Sequence, residues 1–115
     1  MADLSTQSCE ICTAKAQPLG NAELAKYLQQ IIGWQVIPGS GGTKALQQLV
    51  KTFSFDNYPQ AVAFTNRIAD LAEAEDHHPA LLTEWGKVTV IWWTHAVGGL
   101  HRNDFICAAK TDLLG

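Results

Sequence analysis

Nothing in these 115 residues approaches the ~18 consecutive apolar positions that a bilayer-spanning helix needs, which excludes a helical membrane protein. Basic residues are few. Eight Lys and Arg stand against 11 Asp and Glu, a formal net charge of -3, and no cluster of them forms anywhere. Binding to nucleic acid rests on grouped Lys and Arg that displace counterions, so a nucleic-acid partner is not expected. The opening segment, Met1 to Ser8, has neither the basic nor the apolar stretch of a secretory signal, and the expected compartment is the cytoplasm. Cysteines number only 3, an odd count that makes no disulfide framework. Charged residues at 17% against hydrophobic residues at 47% exclude a disordered chain.

A chain of this length fits one domain. Residues 1–17 have no clean periodicity and read as an irregular leader, leaving 18–115 as the domain. A helix is expected from Ala22 to Ile32, capped by Asn21, with Leu24, Leu28, Ile31 and Ile32 on one face and Gly33 as its stop. Trp34 to Ile37 reads as a strand and Pro38 to Gly42 as a turn. A second strand lies within Ala45 to Phe55, where Leu49, Phe53 and Phe55 share a parity, so the two strands form an antiparallel hairpin. Asp56-Asn57 opens a long helix, Tyr58 to Glu75, with Pro59 in its first turn. Its buried stripe is Ala61, Phe64, Ile68, Leu71 and Ala72. Pro79 disfavours helical geometry at His78 and ends it. Trp85-Gly86 is a turn. Lys87 to His95 is a strand rich in β-branched and aromatic residues. It sets Val88, Val90, Trp92 and Thr94 on one face and Lys87, Thr89, Ile91, Trp93 and His95 on the other. Gly98-Gly99 breaks it. A last helix begins near Asn103-Asp104 with Phe105, Ile106, Ala109 and Leu113 turned inward and Cys107 in its apolar pattern. The order α-β-β-α-β-α predicts an α+β two-layer sandwich, an antiparallel sheet with helices on one face.

All four histidines fall between residues 77 and 101. Imidazole moves protons well at neutral pH because its unperturbed pKa is ~6.5. His77 and His78 end the long helix, and His95 ends the next strand. If that strand end folds back toward the helix, the three rings converge and can supply both an acid and a base. Glu73, Asp76 and Asp104 are carboxylates able to orient them. Blander readings stand beside this one. A His-His pair favours a helix C-terminus through the dipole, His95 alone fits a core histidine, and His101 reads as a surface residue. Three histidines also raise zinc, but the spacing matches no zinc pattern. Cys9-Glu-Ile-Cys12 has no second ligand pair, and Gly39 to Gly42 lacks the Lys-Ser/Thr of a phosphate loop.

Three stretches carry a resemblance. Glu73-Ala-Glu-Asp-His-His-Pro79, then Val88-Thr-Val-Ile-Trp-Trp-Thr-His95, then Gly99-Leu-His-Arg-Asn-Asp104 together resemble the signature of the pterin-4a-carbinolamine dehydratases, over roughly residues 21–112. Leu81 to Lys87, the run through Phe105 and the N-terminal Cys-x-x-Cys are similar to the bacterial branch that accompanies phenylalanine hydroxylase. The resemblance implies a four-stranded antiparallel sheet with three helices on one face, so a fourth strand is expected around residues 81–84. It implies a homodimer or homotetramer, an assembly that the apolar character of both faces of the strand 87–95 also favours. It implies a hydro-lyase, 4a-hydroxytetrahydrobiopterin dehydratase. Water is removed from the pterin-4a-carbinolamine to give quinonoid dihydropterin, which recycles the cofactor of phenylalanine hydroxylase without metal or organic cofactor. Carried over, His77, His78 and His95 are catalytic. Asp76, His77, His78, Trp93, Thr94, His95 and Ala96 bind the substrate, and Glu73, Asp76 and Asp104 support. Trp93 or Trp85 could stack on the pterin. The chain departs from family members at Trp85-Gly86, where animal members carry an aromatic-Asn pair, and at Ala80, where many have Glu. The alternative is a non-enzymatic relative that serves as a dimerisation cofactor of transcription factors or as an assembly factor. Degenerate assembly relatives tend to lose the histidines, and all three stand here.

Overall fold

The computed structural model describes residues 4–7, 20–37, 47–94 and 99–115. After a 3-10 turn at Leu4–Thr6 come α1 (Asn21–Leu28), β1 (Gln35–Ile37), β2 (Gln48–Ser54), α2 (Tyr58–Glu75), β3 (Ala80–Glu84), β4 (Lys87–Trp92) and α3 (Arg102–Leu114). The strands form one antiparallel sheet in the order β1-β2-β4-β3. The expected α+β architecture holds, and β3 is the fourth strand expected near residues 81–84.

Local chemistry sets the bounds of α2. The Asn57 side chain accepts the Gln60 N–H at 2.9 Å, and Gln60 Oε1 in turn accepts the Asp56 N–H at 3.1 Å. The first bond satisfies a donor that a helix start leaves without an intrahelical partner, and the second ties down the chain just ahead of the cap. Ala61, Phe64, Ile68 and Ala72 recur every three or four positions and are buried, with Leu71 packed beside them. This stripe meets Leu49, Val88, Val90 and Trp92 on one face of the sheet, and Leu24, Phe105 and Ile106 of the other helices join the same core. Thr65 and Thr83 hydroxyls bond at 2.6 Å and fix α2 to β3. The other sheet face carries Val50, Thr52, Ala80, Leu82, Thr89 and Ile91, all partly or wholly exposed, with Thr52 and Thr89 hydroxyls bonded across the strands at 3.2 Å.

Several expectations change. α1 ends at Leu28, short of Ile32, and its N-cap is Gly20, with no side-chain cap bond. Ile32 is exposed, while Ile31 enters the core. Gly33 follows at φ 93, a left-handed turn that glycine adopts freely. Regular pairing of β4 stops at Trp92, after which Thr94 makes one bridge to Gly99. Trp92 is buried within the chain itself and needs no partner to cover it. Leu113 is 73% exposed, since the last turn of α3 packs through its neighbours, with Asp112 bonded to Trp34 and Lys51 and Leu114 against the core. Within the leader, Leu4 is buried in the core, and Gln7 Oε1 accepts from Arg102 Nη1 at 2.7 Å. The turn at 38–42, Cys9, Cys12, His95 and Ala96 lie outside the described residues. Among those described, no helix is long and apolar enough to cross a membrane.

Candidate active site

The site begins where α2 ends. Asp76 adopts a left-handed conformation at φ 50, which Asp tolerates better than most residues because its short side chain can bond locally. The N–H groups of Asp76 and His77 both return to the Ala72 carbonyl, the latter at 3.1 Å. That wrap-around closes the helix and reverses the chain. Consecutive side chains after such a reversal diverge, and the two histidines do. His77 turns inward to Asp104, with its Nε2 2.7 Å from Oδ1 and only 12% of its side chain exposed. His78 turns outward to Glu73 at 2.7 Å, in a pair whose side chains are 57% and 78% exposed. The same distance therefore describes a shielded contact in one case and a solvated one in the other.

The hairpin of β3 and β4 brings the second part of the site home. β3 starts at Ala80, three residues past His77, and pairs with β4 in the register Ala80↔Ile91. Trp92 and Thr94 therefore return to the end of the sheet that His77 occupies. The described part of this strand thus returns toward the end of α2, and His95 lies outside the described residues. Trp85 is at the other end of the hairpin, 73% exposed, roughly 16 Å along a strand rising about 3.3 Å per residue. It does not face the His77 end. Trp93 is half-buried and has the opposite parity from Trp92.

Asp104 joins these parts. Its carboxylate is fully buried. Oδ2 accepts the Thr94 hydroxyl at 2.8 Å and the His101 N–H at 2.9 Å, while Oδ1 faces His77. A carboxylate is acceptor-only, so the network assigns the proton to His77 Nε2 and leaves Nδ1 as its second ring nitrogen. Asp104 also lies in the first turn of α3, where negative charge meets the positive end of the helix dipole. Its bond to the His101 N–H is half of a capping box. The other half comes from His101, whose Nδ1 accepts the Asn103 N–H at 3.1 Å. His101, expected on the surface, is a half-buried helix cap. The signal was legible as a side-chain acceptor three residues ahead of an acid at the start of an apolar helix.

Of the residues singled out from sequence, the structure gathers His77, Asp104 and Thr94 into one hydrogen-bonded group. It places Glu73 with His78 on the outside, and Asp76 at the helix end. Thr94 spends its hydroxyl on Asp104 and is buried. Sequence reasoning missed Trp92, whose ring lies nearly parallel to His77, with centroids 5.5 Å apart and planes 11° from each other. Nothing but the inward parity of Trp92 pointed there. Among the described residues, no three His, Cys, Asp or Glu side chains come together as a metal site.

Comparison with known proteins bears on this geometry. Residues 17–114 match the family described as pterin 4 alpha carbinolamine dehydratase. A protein of Marinobacter nauticus, provisionally named pterin-4-alpha-carbinolamine dehydratase, is 53% identical over 114 residues, covering 99% of both chains. Among solved structures, a transcriptional coactivator/pterin dehydratase from Brucella melitensis superposes with a TM-score of 0.73 at 26% identity, covering 85% of this chain and 98% of that one.

Proposed function

Because the chain belongs to the pterin-4-alpha-carbinolamine dehydratase family, we propose that it dehydrates 4a-hydroxytetrahydrobiopterin to quinonoid dihydropterin and water. The observation that carries this reading is the buried His77–Asp104–Thr94 network at the end of β4 where His95 follows. In the reaction, the C4a–O bond breaks and the hydroxyl leaves as water with a proton from a general acid. The N5–H proton passes to a base, and the N5 lone pair closes the new double bond to C4a. No electrons enter or leave, so proton donors and acceptors suffice, and no metal or organic cofactor is proposed. His77, His78 and His95 are the proton carriers in this reading. Asp104 orients His77 and Glu73 orients His78. Asp76, Trp93 and Ala96 complete the substrate pocket, while Thr94, expected there from the sequence, gives its hydroxyl to Asp104 and holds that carboxylate instead. Each well-placed proton group contributes ~10²–10⁴ in rate, or roughly 3–5 kcal/mol.

In a cell the substrate would come from an aromatic amino-acid hydroxylase, with phenylalanine hydroxylase as the proposed functional partner, and the working form is a homodimer or homotetramer. The decisive experiment adds purified protein to a phenylalanine hydroxylase reaction and follows quinonoid dihydropterin. Faster formation is expected, and an unchanged rate would sink the reading. A second reading, a transcriptional coactivator role, is favoured by the name of the Brucella melitensis neighbour and by the sheet face that no described helix covers. It ranks lower because it gives the buried histidine network no task.

A further inference from the structure

His77 is held from two directions, and only one of them is a carboxylate. Asp104 fixes the ring at Nε2 but leaves it free to rotate about that hydrogen bond. The second restraint is Trp92, stacked on the ring at 5.5 Å with an 11° tilt, within the usual range for offset aromatic pairs. The indole is itself anchored. Trp92 Nε1 donates to Thr111 Oγ1 at 3.2 Å, and the Thr111 hydroxyl donates to the Cys107 carbonyl at 2.6 Å one turn back in α3. Trp92, Cys107 and Thr111 are all essentially excluded from solvent. The hydrogen bond satisfies the buried indole N–H and at the same time sets the plane of the ring.

We infer that Trp92, anchored by Thr111, is a positioning residue that fixes the plane of the His77 imidazole and so aims its Nδ1. The inference rests on the reading of His77 as a proton carrier. One carboxylate bond leaves a ring free to swing, and small errors of orientation cost rate steeply. A stacked, anchored indole removes that freedom without adding a charge or a competing donor. Two elements of different origin, β4 and α3, then converge on one imidazole. α3 contributes twice, through Asp104 in its first turn and through Thr111 near its end.

The test uses the full chain with 15N-labelled histidine, in parallel with dehydratase assays. In the native protein the Nε2–H of His77 should give a protected proton signal, and its ring protons should be shifted upfield by the indole. Trp92→Leu removes the ring face. It is expected to broaden or abolish the Nε2–H signal and to lower kcat by about tenfold with KM within about twofold. Trp92→Phe restores a ring and should hold kcat within about threefold of native. Thr111→Val leaves the indole but frees its N–H, and should move the His77 ring-proton shifts. Trp34→Leu removes another buried indole, one bonded to Asp112 on the other side of the sheet order, and should leave kcat unchanged. The inference is overturned if Trp92→Leu keeps either the His77 signals or kcat, or if Trp34→Leu loses kcat equally. Should Trp92→Leu fail to fold, the Phe and Val variants decide by the same signals. If the native protein shows no dehydratase activity, the proposed function fails separately, and the His77 signals still decide whether Trp92 orients the ring.

Discussion

His77 and His78 are adjacent in sequence and opposite in setting. A burial difference of this size predicts different sensitivities. His77→Ala and His95→Ala should each lower kcat at least about tenfold while circular dichroism stays native; normal turnover in both would remove the histidines from the mechanism. Because the proposed C4a–O cleavage is assisted by proton donors and acceptors alone, activity should survive exhaustive EDTA treatment. Loss on chelation with recovery on adding zinc would replace the proton mechanism with a metal one. His101 now has a task as well. Its Nδ1 caps α3, so His101→Ala should lower stability by about 1 kcal/mol, roughly 4 °C in Tm, and His101→Asn should recover most of it. Calorimetry showing no difference between the two variants would contradict the cap. At this scale the sequence marked His77, His78 and His95 as candidates, because His-His-Pro and Thr-His are unusual local patterns. It did not reveal that Trp92 backs His77, since a stacking partner one hairpin away leaves no mark on either segment.

At the scale of elements, the bounds of α2 were legible because its ends are written in single residues. Asn57 and Pro59 mark the start, and Pro79 limits the end. β3 was far harder to see, since Ala80 to Glu84 is half-exposed along its length and shows no clean alternation. It is a strand because β4, past a two-residue turn, offers an edge, and Thr65, 18 residues before Thr83, offers a hydroxyl, and neither pairing shows in the pattern of β3 itself. α1 was read too long because Ile31 and Ile32 continue the apolar spacing, although Ile31 reaches the core from a turn. The helix end that shapes the candidate site is Asp76. Its left-handed φ is what sends His77 inward. Asp76→Gly preserves that conformation and should leave Tm within about 1 °C, whereas Asp76→Val should cost about 1–2 kcal/mol. If the Asp76 carboxylate also holds the pterin, the Gly variant should raise KM several-fold at unchanged Tm. An unaltered KM would confine Asp76 to shaping the backbone.

Over the whole molecule, the sheet divides the chain into a finished side and an unfinished one. On the helical side Leu49, Val88, Val90 and Trp92 are fully buried. The other side presents Val50, Ala80, Leu82, Thr89 and Ile91, with Leu82 56% exposed, and no described helix lies over it. Apolar surface gathered on one flat face is the usual mark of an interface. A second copy is the simplest cover, since closed two-fold association is the commonest form of assembly. Trp92 adds nothing to such an interface, because the chain buries it alone, whereas Ile91 and its neighbours lie on the outer face of the same strand. The inner face of β4 stacks Trp92 on His77, and its outer face is the surface on which a second copy is expected. Stiffening β4 from outside would also steady the residues that follow Trp92, among them Thr94 and His95. The protein is expected to be a homo-oligomer at micromolar concentration, and Ile91→Glu should shift it toward the monomer and reduce activity along with it. Light scattering that returns a mass near 12.5 kDa at full activity would refute both the assembly and its link to the site.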